Sequence, residues 1–207
     1  MWKMREFEEK LYKENLYKIA GLDEVGRGCW AGPLVVAICV LKKDYNNKLI
    51  KDSKKMSSKN RKLVFEQLNR EALLIDWIIY DAEFVDKTNP KKTSIIGMEY
   101  LINKHKDKID YCLIDSEKVE NVLVKTQSII KGDEKSISIA AASIVAKVVR
   151  DDIMNQLDKK YPLYGFSKNK GYGTKYHIEA LAKYGPINKI HRFSYKPIKN
   201  LLFNKKE

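Results

Sequence analysis

The sequence has little cysteine, histidine or arginine and no long apolar run. Its three cysteines, Cys29, Cys39 and Cys112, are widely spaced and form no Cys-x-x-Cys pair, which argues against a disulfide framework and a structural zinc site. The longest apolar stretch, 34–41, is far shorter than the about 20 residues of a membrane-spanning helix. The N-terminus lacks an apolar signal-peptide core. We therefore expect reduced thiols, no membrane association and a cytoplasmic protein.

What the sequence does contain is lysine. Of 40 basic residues only six are arginine, and against 27 acidic residues they give a net charge of +13 and a pI of about 9.4. Such a balance is typical of surfaces that meet polyanions such as nucleic acid. A high lysine content also arises from selection for solubility or from genome composition, so the charge alone does not establish nucleic-acid binding.

The length and composition predict one globular domain. The chain has 207 residues, of which 44% are hydrophobic and 32% charged, enough to build a sizeable core. We expect residues 1–207 to form a single domain. We take a monomer as the default oligomeric state. Within it we expect an N-terminal helix at 1–17, a core at 18–158 and a helical or loop region at 159–207.

Apolar runs between turn residues predict five strands. The first two should pair antiparallel, because only a glycine loop joins them, and the third should complete a meander. A mixed α/β sheet flanked by helices is therefore the expected fold class. The predicted strands are Lys18–Asp23, Pro33–Val40, Leu73–Tyr80, Tyr111–Ile114 and Thr126–Ile130.

Helical spacing and capping residues predict the main helices. Ser57 and Ser58 are the predicted caps of a helix that runs through Arg70. Further helices are predicted at 94–104, 136–158 and 175–184, the last ending at Gly185-Pro186, and the segment 89–92 is expected to be a loop. In the long helix 136–158, Ser143, Lys147, Arg150 and Asp151 recur at helical spacing. We interpret them as one polar stripe that is solvated or locally paired.

Acidic residues stand at the ends of three predicted strands: Asp23 with Glu24, then Asp115, then Asp133. Strand ends converge along one edge of an open sheet, where ligands bind. Converging carboxylates repel unless a cation lies between them. Hard oxygen ligands without cysteine indicate Mg²⁺ or Mn²⁺, and two such ions, about 3.5–4 Å apart, suit in-line hydrolysis of a phosphodiester.

Each candidate also has a plainer structural role. Asp133 precedes the long helix and is a candidate N-cap, and Asp115 could cap a loop. His177 and His191 fit surface or core positions better than ligand positions. Tyr172 lies between glycines in a basic loop, where its ring either stacks on a nucleotide or packs onto the body of the protein.

Three functions remain open on residue types alone. A metal-dependent nuclease would use the carboxylates for cleavage. A non-catalytic binder of nucleic acid would use the basic loops, with the acids as caps. A glycoside hydrolase would use a carboxylate pair without metal, and the positive charge gives it no support.

Several motifs together resemble one known family. In chain order they are Ile-Ala-Gly-Leu-Asp-Glu-Val-Gly-Arg-Gly at 19–28, Ala-Gly-Pro at 31–33, Asp-Ser-Lys-Lys at 52–55, Leu-Ile-Asp at 113–115, Lys-Gly-Asp at 131–133, Ile-Ala-Ala-Ala-Ser-Ile-Val-Ala-Lys at 139–147, Arg-Asp at 150–151, Gly-Tyr-Gly-Thr at 171–174 and His-Arg at 191–192. They span almost the whole chain and resemble ribonuclease HII. The resemblance implies a ribonuclease H-like fold and an endonuclease that cuts the RNA strand of RNA–DNA hybrids. It also implies nicking on the 5′ side of a single ribonucleotide in duplex DNA, leaving a 3′-hydroxyl and a 5′-phosphate. Apart from the resemblance, a sliding clamp docking on the basic C-terminus is a candidate partner that the sequence leaves open.

The resemblance also assigns roles to residues. Asp23, Glu24, Asp115 and Asp133 match the family's metal-binding acids. Gly26, Arg27 and Gly28 match a loop whose backbone senses the 2′-hydroxyl, Tyr172 a tyrosine at the ribose–deoxyribose junction, and Ser53 and Lys54 a phosphate-contacting turn. The chain departs from the usual pattern at Ser116-Glu117, where glycine-asparagine is common, at Cys29, where proline is frequent, and at Tyr195, where phenylalanine is frequent.

Overall fold

The computed structural model describes residues 3–47, 49–50 and 56–203. The strands in these ranges are β1 (Ile19–Val25), β2 (Leu34–Val40), β3 (Leu74–Tyr80), β4 (Tyr111–Asp115) and β5 (Thr126–Ile129). The α-helices are α1 (Glu6–Lys13), α2 (Ser58–Glu71), α3 (Ala82–Thr88), α4 (Pro90–Lys104), α5 (Ile137–Lys160), α6 (Phe166–Asn169), α7 (Lys175–Tyr184) and α8 (Lys196–Phe203).

The strands form one sheet in the order β3-β2-β1-β4-β5. β1 lies at its centre and pairs in parallel with β4, with Leu22 opposite Ile114. β4 in turn pairs in parallel with β5, with Asp115 opposite Ile129. Because parallel strands end at the same edge of a sheet, β1 and β4 bring their C-terminal carboxylates to one place.

The chain folds into two compact units. The first consists of Met1–Val25, Val36–Ile78 and Ile95–Val148, and the second of Gly26–Val35, Ile79–Ser94 and Val149–Glu207. The first unit holds most of the sheet and all four acids of the sequence motifs. The second holds the glycine loop and Tyr172. The assignment of residues 1–207 to one domain stays a prediction.

Each unit has its own apolar cluster. In the first, residues of α1, β1, β4, β5 and α5 pack together, and burying such side chains contributes about 1.5–3 kcal/mol each. In the second, the cluster gathers the glycine-loop alanine with residues from α5 to α8. The first cluster consists of Leu11, Tyr12, Ile19, Leu113, Ile129 and Ile139. The second consists of Ala31, Met154, Tyr164, Phe166, Ala180, Leu181 and Ile198.

Gly21 determines how closely α5 approaches β1. A Cβ atom at Gly21 would lie 2.0 Å from the carbonyl carbon of Ser138 and 2.3 Å from the amide nitrogen of Ile139. Non-bonded atoms do not approach each other so closely, so only glycine permits this packing. The start of α5 is thereby held against the strand that carries Asp23.

The structure corrects the predicted boundaries in three places. β1 continues through Val25, so its acidic pair lies inside the strand. The segment 89–92 is not a loop, because α4 begins at Pro90. Proline suits the first turn of a helix, where its missing N–H leaves no donor unpaired. The Asn89 side chain accepts a hydrogen bond from the amide of Lys92 at 2.9 Å. α3 was missed, although Asp81 caps it by accepting from the amide of Phe84 at 2.7 Å.

Two predicted helix ends are confirmed. Ser57 caps α2 by accepting a hydrogen bond from the Asn60 amide at 3.2 Å. At the other end of the chain, α7 stops at Gly185, whose φ is +79° and whose amide bonds the Leu181 carbonyl at 2.9 Å. Among the residues described, none of the helices has the length and apolar character required to cross a bilayer.

Candidate active site

Asp23 is a buried carboxylate near the end of the central strand. Only 7% of its surface is exposed, and its Oδ1 accepts a hydrogen bond from the Glu24 amide at 2.8 Å. Ser143 on α5 hydrogen-bonds to the Asp23 side chain, and the Lys147 ammonium donates to the Ser143 hydroxyl at 2.6 Å. Two members of the predicted polar stripe therefore face a carboxylate instead of solvent.

Burial raises the pKa of Asp23 from its ordinary value to about 8. Loss of solvation is the largest cause, and the negative charges of Glu24 and Asp115 add to it. The hydrogen bond from Ser143 and the positive charge of Lys147 act in the opposite direction without compensating. Three carboxylates thus interact electrostatically around Asp23, and a cation placed among them would relieve the repulsion.

Asp115 ends β4, the strand that pairs with β1. Leu22 lies opposite Ile114 in this parallel pair, and Asp23 and Asp115 are the next residues along their strands. The Asp115 Oδ1 accepts from the amide of Gly132 at 2.6 Å and from the Ser116 hydroxyl at 3.3 Å. These bonds fix the direction of the carboxylate. The unusual residue Ser116 adopts a left-handed backbone with φ of +57°.

Asp133 follows Gly132 in a short 3-10 turn, Gly132–Glu134. Its side chain is 6% exposed. It is not the N-cap of α5, because the hydroxyl of Ser136 takes that role by accepting from the Ile139 amide at 3.2 Å. The bond between Gly132 and Asp115 therefore ties the turn carrying Asp133 to the end of β4.

The donor set fits a divalent cation with oxygen ligands. Carboxylates without cysteine or histidine suit Mg²⁺ or Mn²⁺ better than Zn²⁺, and the pKa of Asp23 is raised by burial first and by the negative charges of Glu24 and Asp115 in addition. Within the described part of the chain, no group of three or more His, Cys, Asp or Glu side chains already closes into a metal-binding cluster.

The glycine loop is held in the second unit by buried arginines. Gly26 has a φ of +102°, and its carbonyl accepts from Arg192 Nη1 at 2.6 Å, as the carbonyl of Arg27 does at 3.1 Å. Arg150 donates to the carbonyls of Pro33 at 2.9 Å and of Ala31 at 3.1 Å. Both guanidinium groups are almost fully buried. The prediction that Arg150 lies on a solvated or locally paired face is therefore wrong, because its partners Pro33 and Ala31 are distant along the chain.

Tyr172 lies next to this loop within the same unit. A Cβ atom at Gly28 would be 3.9 Å from the ring carbon Cε1 of Tyr172. The Tyr172 hydroxyl hydrogen-bonds with the Cys29 thiol, and burial raises the tyrosine pKa to about 12. Nevertheless 46% of Tyr172 is exposed. The residue is anchored at its hydroxyl and backbone while part of its surface faces solvent.

Sequence reasoning missed the supporting residues of the second unit. His177 and His191 are buried in contact with one another, their Nε2 atoms 3.1 Å apart. Of the two positions expected for these histidines, surface or core, the structure shows the core, and it adds a polar contact between the two rings. The sequence signals were weak: His191 belongs to the His-Arg segment at 191–192, and His177 lies three residues after the Gly-Tyr-Gly-Thr segment. Ser53 and Lys54, predicted to contact phosphate, lie outside the described residues.

Known proteins resemble this chain in sequence and in structure. Residues 20–198 match the model of the family described as Ribonuclease HII. A Ribonuclease HII of Mycoplasma mycoides is 48% identical over 188 residues, covering 90% of either chain. The crystal structure of ribonuclease H2 from Pyrococcus horikoshii superposes with a TM-score of 0.77 at 23% identity, covering 92% of this chain and 99% of that one. A chain of the PCNA:RNase HII complex from Archaeoglobus fulgidus gives a TM-score of 0.75 at 26% identity, covering 86% and 95%.

Proposed function

The chain belongs to the ribonuclease HII family, and from that premise we propose that it nicks duplex DNA on the 5′ side of a single embedded ribonucleotide. The ribonuclease H-like fold predicted from the sequence is confirmed. So is the enzyme class, a metal-dependent nuclease with ribonuclease H activity on RNA–DNA hybrids. Membership of this family removes the glycoside hydrolase and the non-catalytic binder as alternatives.

The observation that carries the catalytic assignment is the convergence of Asp23, Glu24 and Asp115. Loss of solvation, and to a lesser extent the negative charges of Glu24 and Asp115, raise the pKa of Asp23, and a divalent cation would stabilise the ionised carboxylates in this environment. We assign metal binding to these three acids and to Asp133. The bound ions, Mg²⁺ or Mn²⁺ and two in number in our proposal, would supply an activated water and stabilise the departing oxygen.

The protein's own groups have three tasks at this site. Asp23 must lose its proton when the cation binds, and the Lys147 ammonium near it favours that loss. Asp115 is kept in one orientation by the amide of Gly132. The strand that carries Asp23 is packed closely against the start of α5 at Gly21. The products we propose are a 3′-hydroxyl and a 5′-phosphate.

Recognition of the ribonucleotide is assigned to the second unit. Only the 2′-hydroxyl distinguishes RNA from DNA at a single position. The backbone of Gly26, Arg27 and Gly28 would contact it, and the half-exposed ring of Tyr172 would pack against the sugar at the junction. Ser53 and Lys54 would bind a backbone phosphate of the substrate.

Partners beyond the substrate are proposals as well. One structural neighbour is an RNase HII in complex with PCNA, which supports a sliding clamp as a partner here. We further propose that the protein acts as a monomer in the cytoplasm. Sedimentation of the protein alone tests whether it is a monomer, and sedimentation of a mixture with a bacterial sliding clamp tests whether the two proteins bind.

Cleavage of a labelled 20–30 base-pair DNA duplex with one ribonucleotide tests the proposed function. We expect one cut on its 5′ side with Mg²⁺ or Mn²⁺ and none with a chelator or in an all-DNA duplex. Asp23→Asn should abolish cutting, whereas Asp107→Asn, a change at an exposed acid in the turn Lys106–Lys108, should leave it intact. Cleavage of long hybrids without cleavage of the single-ribonucleotide duplex would overturn the junction assignment.

A further inference from the structure

The dipeptide His191-Arg192 lies at the meeting point of the two recognition elements. Both residues are buried, with 1% and 0% of their surface exposed. Their backbone is joined to the end of the glycine loop by a β-bridge between Ala31 and His191. The amide of Arg192 also donates to the Trp30 carbonyl at 2.8 Å. The backbone of the dipeptide is thus bonded to the end of the glycine loop, and its two side chains make further hydrogen bonds, those of His191 leading to Tyr172 and those of Arg192 to the loop.

The His191 side chain leads to Tyr172 through His177. The amide of Ile187 donates to His191 Nδ1 at 2.8 Å, the two Nε2 atoms are 3.1 Å apart, and His177 Nδ1 is 2.9 Å from the Tyr172 carbonyl oxygen. An amide can only donate and a carbonyl can only accept, so the first and last partners fix the direction of the chain.

The proton positions follow from that direction. His191 accepts at Nδ1, so its neutral ring carries the proton at Nε2 and donates it to His177. His177 accepts at Nε2 and therefore carries its own proton at Nδ1, from which it donates to Tyr172. Burial lowers the pKa of both rings, that of His191 to about 4. Both rings are therefore neutral near pH 7, as this chain of hydrogen bonds requires.

The Arg192 side chain supports the glycine loop. Its Nη1 donates to the carbonyls of Gly26 and Arg27, and its Nε and Nη2 donate to the carbonyl of Gly32 at 3.2 and 2.9 Å. Tyr195 completes the arrangement, because its hydroxyl accepts from Arg192 at 2.8 Å and donates to the Arg27 carbonyl at 2.5 Å. A phenylalanine at this position would make neither bond.

We propose that His191 and Arg192 are positioning residues that fix Tyr172 and the Gly26–Gly28 loop relative to each other, and thereby set the preference for a single ribonucleotide over a long hybrid. The inference rests on the proposed function. Two parts of one recognition site must keep their spacing if they are to read one sugar, and displacement by about 1 Å can cost as much as 100-fold in rate. A common support under both parts maintains that spacing without touching the substrate.

Two substitutions at His177 separate this role from core packing. Asparagine places its amide nitrogen near the position of Nδ1, so His177→Asn retains a donor for the Tyr172 carbonyl. Glutamine places its amide near the position of Nε2, so His177→Gln retains the contact with His191 and loses the donor. Each variant breaks one link of the chain, and the two losses of folding stability should be similar.

The readout is the ratio of kcat/KM for the single-ribonucleotide duplex to kcat/KM for a long hybrid. We expect both variants to lower that ratio: His177→Gln by about tenfold, because it loses the bond to Tyr172 directly, and His177→Asn by about three- to fivefold, because it keeps that bond and loses the link to His191. In both variants KM for the single-ribonucleotide duplex should rise more than kcat falls. Equal ratios in both variants and the wild type, with both less stable, would show that the histidines only pack the core and would overturn the proposal.

A milder variant keeps the test decisive if the histidine variants do not fold. Tyr195→Phe retains the ring and removes only the hydroxyl that bonds Arg192 and Arg27. We expect it to fold and to lower the same ratio by about two- to fivefold. An unchanged ratio in this variant overturns the positioning role while the wild type still cuts at the junction. Failure of the wild type to cut there would instead overturn the proposed function, and this inference with it.

Discussion

Asp23→Asn should change how the stability of the metal-free protein depends on pH. In the unfolded chain an aspartate loses its proton near pH 4, whereas in the folded protein Asp23 keeps it until about pH 8. Between these values the folded state binds more protons, so the free energy of unfolding falls as pH rises. The contribution is fully present below pH 4 and is lost progressively up to pH 8.

The magnitude follows from the size of the pKa shift. Where Asp23 is protonated when folded and ionised when unfolded, the slope is about 1.4 kcal/mol per pH unit. Between pH 6 and pH 8 the expected loss is about 2 kcal/mol, because the slope decreases as pH approaches the folded-state pKa. Asparagine has no proton to lose, so this part of the slope should be absent from the variant.

Urea denaturation in the presence of a chelator, at pH 6, 7 and 8, measures the effect. The wild type and the control Asp107→Asn should lose about 2 kcal/mol over this range, and Asp23→Asn should lose much less. Adding Mn²⁺ at pH 8 should stabilise the wild type and the control but not Asp23→Asn. The same slope in all three proteins would refute the assignment of the raised pKa to Asp23.

Three further outcomes are expected. Metal binding at pH 7 should release close to one proton, mainly from Asp23, so the calorimetric heat of binding should differ between buffers of different ionisation enthalpy; a heat that does not depend on the buffer would contradict this. Gly21→Ala should destabilise the protein by about 3 kcal/mol or more, because its Cβ would overlap the Ser138 backbone; an unchanged denaturation midpoint would contradict the close packing. Arg150→Lys should cost about 2–4 kcal/mol, since one ammonium cannot reach the three backbone carbonyls that Arg150 bonds; full stability of this variant would show that those bonds contribute little.

The sheet and the acids were predictable because their signals are local. Buried strands read as short apolar runs, and a carboxylate at the end of such a run is unusual enough to be noticed. The structure places Asp23 and Asp115 on neighbouring parallel strands, which agrees with the expectation that strand ends converge along one edge of the sheet. Helix starts were harder, because Pro90 and Asp81 each begin a helix in a segment whose polar composition resembles a loop.

The supporting groups were not predictable, because distance along the chain separates each from what it holds. Arg150 lies 117 residues from the Pro33 carbonyl, and Arg192 lies 166 residues from the Gly26 carbonyl. On α5, Lys147 and Arg150 are only three residues apart, yet one lies near a buried carboxylate and the other binds loop carbonyls. Helical spacing identifies a shared face but not what that face meets.

The chemistry of the glycine loop explains why arginine rather than lysine stands at positions 150 and 192 of a lysine-rich sequence. A loop without regular pairing must satisfy its buried carbonyls by other donors. Arg192 alone donates to three of them, those of Gly26, Arg27 and Gly32. A lysine ammonium is a single point of donation on a flexible stem, whereas the planar guanidinium offers five donors in fixed directions. Two of the chain's six arginines are buried in this way, and because they order the loop before substrate arrives, binding does not have to supply that ordering entropy.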